Sequence, residues 1–263
     1  MASTASETNM PDRAGTDTDN RIRLRDIAEQ TLKVIKGGSY TPPNSNATYN
    51  LSDKIETLKA GTRYYAADSL LSTWSSSPLP YASPTRTDIS FLEISTMQCA
   101  HHLHSTLTVR GPSDKLGILN FASAKKPGGG FINGAQAQEE SLARSSTLYA
   151  SLVTSTGQQF YTLHNRDPKN GYYSHAMIYS PGVVFFRDDD GGWTEPLEAD
   201  VLVSAAVNAG AVRNSLRGRI VGKSEEARIE AVMKERMARV LFLFSQKGVR
   251  NLVLGSFGTG VFQ

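Results

Sequence analysis

Residues 120–140 concentrate the groups in this chain whose types and spacing could do chemistry. Asn120-Phe121-Ala122-Ser123-Ala124-Lys125-Lys126-Pro127 leads into Gly128-Gly129-Gly130, and a seven-residue spacer, Phe131 to Ala137, separates these from Gln138-Glu139-Glu140. Three successive glycines leave a loop without side chains, whose backbone N–H groups can close on an anion such as a phosphate. Two adjacent carboxylates at short spacing add acid/base capacity beside that anion. Alone, the triple glycine could equally be a hinge. With the acidic pair it suits an enzyme that grips a phosphorylated sugar and breaks a bond near the phosphates.

A second glycine loop, Gly255-Ser256-Phe257-Gly258-Thr259-Gly260-Val261-Phe262, follows an apolar run at Asn251–Leu254. A diphosphate has two phosphates to hold, so two such loops in one domain say more than either alone. Phe262 could stack on a ribose or base, or belong to the core. Lys125 and Lys126 could attract a polyanion or simply face solvent.

The elements that must position these groups follow from the apolar pattern. Short apolar runs predict strands over Ile89–Ile94, Leu116–Phe121, Met177–Arg187, Val201–Asn208 and Asn251–Gly255, alternating with helical segments as in α/β folds. Both glycine loops then leave the carboxyl ends of strands, where open α/β sheets place ligands. Leu24, Ile27, Ala28, Thr31, Leu32 and Ile35 predict a helix over 21–36 that stops before Gly37-Gly38. A second helix is predicted over Glu225–Lys247, with Ser224 as N-cap and Gly248 as the left-handed C-terminal residue. Residues 40–50 and 74–88 read as irregular. The expected organisation is a flexible leader over 1–20, an N-terminal helical and irregular extension over 21–88 packed on the main fold, and a catalytic domain over 89–263.

Composition bounds the function. With 263 residues, 39% of them hydrophobic and 20% charged, the chain can bury a sizeable core. The net charge of +3 and a pI near 8.9 come without a clustered basic face, which argues against sequence-specific nucleic-acid binding. Cys99, the single cysteine, rules out an intramolecular disulfide. No apolar run approaches the roughly 20 residues of a membrane span, and the leader has no signal-peptide core, so no membrane partner is expected and the default location is nuclear or cytoplasmic. His101, His102 and His104 lack further ligands at metal spacing, and Asp188-Asp189-Asp190-Gly191-Gly192 reads as a hairpin turn rather than a calcium loop. Arg144, four residues after Glu140, is expected to form a structural salt bridge.

The motifs resemble those of the microbial-type poly(ADP-ribose) glycohydrolases, a branch of the macrodomain fold. The resemblance rests on Gly128-Gly129-Gly130 and Gln138-Glu139-Glu140, on Leu119-Asn120-Phe121-Ala122-Ser123-Ala124, and on Ser141-Leu142-Ala143-Arg144-Ser145-Ser146-Thr147-Leu148-Tyr149. It extends to Ile178-Tyr179-Ser180-Pro181, Phe186-Arg187-Asp188, Ala205-Ala206-Val207-Asn208 and the late glycine loop. It implies a macrodomain-like three-layer α/β/α sandwich with a mixed central sheet and an N-terminal helical extension. It also implies a closing segment after the late loop, so the chain reads as truncated at Gln263 or as closed by its N-terminal elements.

The resemblance further implies that Glu140 is catalytic and that Glu139 orients the ribose under attack. Asn120 and Ser123 would contact that ribose or shape its loop. Gly128, Gly129, Gly130 and Gln138, with Ser256, Phe257, Gly258, Thr259, Gly260, Val261 and Phe262, would hold the remaining substrate, including the diphosphate and distal ribose. Substrates would be poly(ADP-ribose) and ADP-ribosylated proteins, cut mainly from chain ends by a monomeric enzyme that releases ADP-ribose and needs no cofactor or metal. The chemistry fits: breaking a ribose–ribose O-glycosidic bond needs a proton on the departing oxygen, and one glutamate can give it and then take one from water. Adjacent residues seldom face one atom as an opposed acid/base pair, so one glutamate is read as catalytic and the other as positioning. The alternatives are a hydrolase of single ADP-ribose units and a non-catalytic ADP-ribose reader. A nucleotide-binding protein of another fold is disfavoured, because neither loop ends in the Gly-Lys-Ser/Thr of a phosphate-binding P-loop.

Overall fold

The computed structural model describes residues 13–43, 45–78, 86–110, 115–166 and 171–260. Helix α1 (Arg13–Gly37) precedes a small hairpin of β1 (Ser39–Tyr40) and β2 (Tyr49–Asn50), and α2 (Ser52–Gly61) runs into β3 (Arg63–Tyr65). Next come α3 (Thr96–Arg110), β4 (Leu116–Phe121), and after the first glycine loop α4 (Gln138–Ser145), α5 (Leu148–Leu152) and α6 (Ser155–Arg166). The chain closes with β5 (Met177–Arg187), β6 (Trp193–Ser204), α7 (Ala209–Asn214), α8 (Leu216–Val221), α9 (Lys223–Gln246) and β7 (Asn251–Val253).

Five strands form one mixed sheet in the order β3-β5-β6-β4-β7, with β4 parallel to both β6 and β7, and β5 antiparallel to β3 and β6. Strand periodicity sorts its side chains into two layers. Ile118, Ile178, Val201 and Val203 face one way onto Met97, Leu142, Leu148, Leu152 and Phe160 of α3 to α6. Leu119, Met177, Tyr179 and Leu202 face the other way onto Val240, Leu243 and Phe244 of α9. Each such side chain, fully buried, contributes about 1.5–3 kcal/mol of transfer free energy. The result is a three-layer α/β/α sandwich with a mixed sheet and an N-terminal helix.

Several expectations shift in register. Ile89–Ile94 is not a strand: Ile89 is 74% and Phe91 95% exposed, and the segment has no ladder partner to complete its β-like alternation. The strand expected over Val201–Asn208 ends at Ser204, where Asn208 turns instead to cap α7 by accepting from the Ala211 N–H at 2.9 Å. Helix α9 begins at Lys223 behind Gly222, so Ser224 lies in its first turn rather than at its cap, while Gly248 does take the left-handed conformation at φ 71°. The short β3 was hidden because three residues are too few to show a period. Asp188 to Gly192 forms the β5–β6 turn, with the Asp188 N–H donating to the Gly192 carbonyl at 2.9 Å. Among the described residues no helix is long and apolar enough to cross a membrane.

Candidate active site

Strand β4 lies between β6 and β7, so the loop that leaves its carboxyl end starts from the middle of the sheet. Asn120 and Phe121, the last two residues of β4, point to opposite faces. The Asn120 amide nitrogen donates to Glu139 Oε1 at 3.3 Å, and the Phe121 ring packs against Phe257 of the second glycine loop with centroids 5.6 Å apart. Gln138, at the start of α4, brackets the strand end: its side-chain oxygen accepts from the Phe121 N–H at 2.9 Å and its nitrogen donates to the Leu119 carbonyl at 2.8 Å. This amide pair stands in for a strand neighbour and fixes where α4, and therefore Glu139 and Glu140, begins.

The glycine loop closes around the two carboxylates. Gly128 and Gly129 take positive φ, at 65° and 59°, a conformation costly for any residue with a Cβ. The Gly130 N–H donates to Glu140 Oε1 at 2.8 Å and the Ser123 N–H to Glu139 Oε2 at 2.6 Å, while the Gly128 backbone amide acts on Glu139 by lowering its carboxyl value. The Gly129 N–H turns back to the Lys126 carbonyl at 3.0 Å. The loop therefore does cradle acidic groups, and those groups are the chain's own glutamates. Ser123 Oγ accepts from the Lys125 and Lys126 N–H groups at 3.3 and 3.2 Å, which turns the chain and leaves both lysine side chains exposed.

The two glutamates differ in environment. Glu139 is 2% exposed, and burial, reinforced by the Glu140 charge, pushes its carboxyl up to about 8 in spite of its N–H donors. Glu140 is 9% exposed and reaches the surface with its second oxygen unassigned to any hydrogen bond among the described residues. Tyr161 of α6 completes the wall. Its buried hydroxyl has no hydrogen-bond partner among the described residues, and burial with the nearby Glu139 charge raises it well above the ordinary phenol value. In the sequence Phe160-Tyr161 is indistinguishable from a core stripe of a helix, so nothing there marked Tyr161 as a neighbour of the acids.

Arg144 is placed differently from the expected salt bridge. Its guanidinium donates to the Ala135 carbonyl and, at 3.5 Å, to Ser141 Oγ, clamping the spacer between the glycines and α4. Behind it Thr31 Oγ1 of α1 donates to the Arg144 carbonyl at 2.5 Å. Gly134, at φ 77°, lets the spacer approach α1 so closely that a Cβ would stand 2.5 Å from the Arg21 carbonyl oxygen. Helix α1 thus backs the first glycine loop and its spacer, a role its amphipathic pattern did not disclose.

The second loop leaves β7, next to β4 and parallel to it. Gly255 and Gly258 take φ of 62° and 85°. Gly255 lies under the Phe121 ring, while Gly258 faces Met233 Cε and Ala206 Cβ at 3.0 and 3.4 Å from a notional Cβ. Phe257 turns its ring into the core, whereas Ser256, Thr259 and Gly260 stand exposed around a turn in which the Thr259 N–H donates to the Ser256 carbonyl at 3.3 Å. Val261 and Phe262 lie outside the described residues. His101, His102 and His104 sit on α3, and no group of three or more His, Cys, Asp or Glu among the described residues is arranged to hold a metal ion.

An α/β/α sandwich whose adjacent parallel strands deliver two glycine loops, with a buried glutamate pair behind the first, is a macrodomain-type fold carrying an acid/base site. The family model of the microbial-type PARG catalytic domain matches residues 28–188. The structure superposes on poly(ADP-ribose) glycohydrolase from Thermomonospora curvata with a TM-score of 0.79 and 38% identity over 91% of this chain and 81% of that one. The same enzyme bound to the inhibitor ADP-HPD gives 0.75 at 38% identity, over 91% and 80% of the two chains. Poly(ADP-ribose) glycohydrolase from Deinococcus radiodurans in complex with ADP-ribose gives 0.66 at 32%, over 80% and 77%. No curated protein matches the chain. This chain belongs to the microbial-type poly(ADP-ribose) glycohydrolase family.

Proposed function

We propose that this protein binds ADP-ribose units and hydrolyses the ribose–ribose O-glycosidic bond of poly(ADP-ribose), mainly from chain ends, releasing ADP-ribose. The observation that carries the reading is the geometry around Glu140: one oxygen is held by the Gly130 N–H at 2.8 Å and the carboxyl lies at the rim of a buried acidic pair. Glu140 gives its proton to the departing ribose oxygen as the anomeric bond breaks, then takes one from the water that attacks the oxocarbenium-like ribose. Glu139, held by Ser123 and Asn120, orients that ribose through its hydroxyls. The second glycine loop carries the diphosphate with Ser256, Gly258, Thr259 and Gly260, and Phe257 supports it from below. Because the Gly130 amide already holds Glu140, the first loop contributes chiefly a surface without side chains, against which the scissile ribose can lie.

Two carboxyls on neighbouring positions of one helix turn cannot flank a sugar ring from opposite faces, so this is not the opposed pair of ordinary glycosidases. The reading takes modified proteins as the physiological substrates and a monomer, nuclear or cytoplasmic, as the working form. The test is incubation of the purified chain with polymer-modified and mono-ADP-ribosylated protein, with products resolved by chromatography. Free ADP-ribose from the polymer alone supports the glycohydrolase. Release from the mono-modified protein alone would replace it with a mono-ADP-ribosyl hydrolase, and binding without release would leave a reader.

A further inference from the structure

Strands β4, β6 and β7 are parallel to one another, so the segment after β6 emerges at the same sheet edge as the two glycine loops. That segment builds α7 and α8, and it touches the second loop, since Gly258 faces Ala206 and Met233. Helix α8 presents a stripe of unusual orientation. Leu216, Arg219 and Ile220 fall at i, i+3 and i+4 and share one face. Leu216 is 78% and Ile220 73% exposed, whereas Gly218 on the opposite side is buried against the Val212 and Arg213 carbonyls. A surface helix ordinarily turns such a stripe inward.

The charges around it are unbalanced. Arg213 is paired with Glu226 at 2.6 Å, and Arg217 and Arg228 with Glu225 at 3.1 and 3.5 Å. Arg219 and Lys223 are exposed and have no carboxylate within ion-pair distance among the described residues. Two free cations beside a bare aliphatic stripe complement a ligand that alternates anionic and flat apolar groups.

We infer that the α8 face, through Leu216, Arg219 and Ile220, together with Lys223 at the start of α9, is a docking surface for units of poly(ADP-ribose) beyond the one being cut. Diphosphates pair with Arg219 and Lys223, and adenine faces cover Leu216 and Ile220. Met233, the contact to the second loop, lies ten residues into α9, about 15 Å along its axis from Lys223. We take that separation from the second loop as room for a further unit, so that the surface acts on longer polymer. This inference rests on the proposed glycohydrolase activity and adds substrate-length preference to it.

The test compares the wild type with Leu216→Ser/Ile220→Ser and, separately, Arg219→Ser/Lys223→Ser, on long polymer and on oligomers of a few units. All four side chains are exposed and outside the catalytic loops, and melting curves check that the fold is kept. The expected result is a KM for long polymer raised about three- to tenfold in both variants, with oligomer kinetics unchanged and a shallower salt dependence only in the Arg219/Lys223 variant. Unchanged KM on long polymer, or an equal loss on both substrates, overturns the inference while leaving the activity standing. A doubled solution mass in the wild type that the apolar variant abolishes also overturns it, by assigning the face to a second copy of the chain. Failure of the wild type to cut either substrate would instead remove the activity itself.

Discussion

The Cα of Gly129 lies directly against the carboxyl group of Glu140: a Cβ there would stand 2.9 Å from Glu140 Cδ and 3.1 Å from Glu139 Oε2. Neither carboxyl can retreat, because each is fixed by backbone N–H donors from the same loop. Gly129→Ala therefore costs about 1 kcal/mol in backbone strain at φ 59° and displaces Glu140, lowering kcat by roughly 10²-fold. Steady-state kinetics together with a melting curve check this. Full activity in the variant would show that the close approach has no catalytic consequence.

Glu139 makes the fold sensitive to pH in a definite direction. Its folded value of about 8 lies above its ordinary 4.5, so between these values the folded state binds more protons than the unfolded state. Stability from this group is present below about pH 4.5, is lost as pH rises through about 8, and levels off above it. Glu139→Gln removes that titration, so the variant should gain on the wild type by up to a few kcal/mol as pH is raised across the window. Chemical denaturation of both proteins at several pH values reads the difference, and a gap independent of pH would contradict the assignment.

Gln138 is predicted to act through the backbone. Both ends of its amide are engaged, one with Phe121 and one with Leu119. Gln138→Leu removes two part-buried hydrogen bonds and should lower stability by about 0.5–1.5 kcal/mol for each, with kcat falling as α4 loses its register. Calorimetric ADP-ribose binding separates this from direct recognition. Weakened binding at unchanged stability would make Gln138 a ligand contact instead.

Thr31 ties α1 to the far end of α4 through the Arg144 carbonyl. Thr31→Val keeps the volume but strands that carbonyl, with an expected loss of about 1–3 kcal/mol that Thr31→Ser largely recovers. Urea unfolding of the three proteins decides it. Equal stability of the Val variant would detach the N-terminal helix from the support of the site.

Much of this arrangement was legible in the sequence where chemistry and pattern coincide. Leu116–Phe121 and Met177–Arg187 are strands at those bounds, because buried strands carry continuous apolar runs, and Gln138-Glu139-Glu140 stands beside the triple glycine as its short spacer required. Ile89–Ile94 misled because alternation describes a side-chain pattern and not the presence of a ladder partner. The engagement of the Gly130 amide with Glu140 was beyond reach, since glycine reports only that a backbone must come close, not to what. Arg144 was expected to seek a carboxylate by helix spacing, yet the spacer's Ala135 carbonyl lies nearer its guanidinium, a tertiary contact no local period encodes.

The assignment of Glu140 as the proton donor and acceptor is tested most directly by Glu140→Gln, assayed for single-turnover cleavage of poly(ADP-ribose) and, on the same preparation, for ADP-ribose affinity. The account predicts that ADP-ribose still binds with near wild-type affinity while cleavage slows by about 10²–10⁴-fold. Cleavage at the wild-type rate in a folded, ligand-binding Glu140→Gln protein would contradict it.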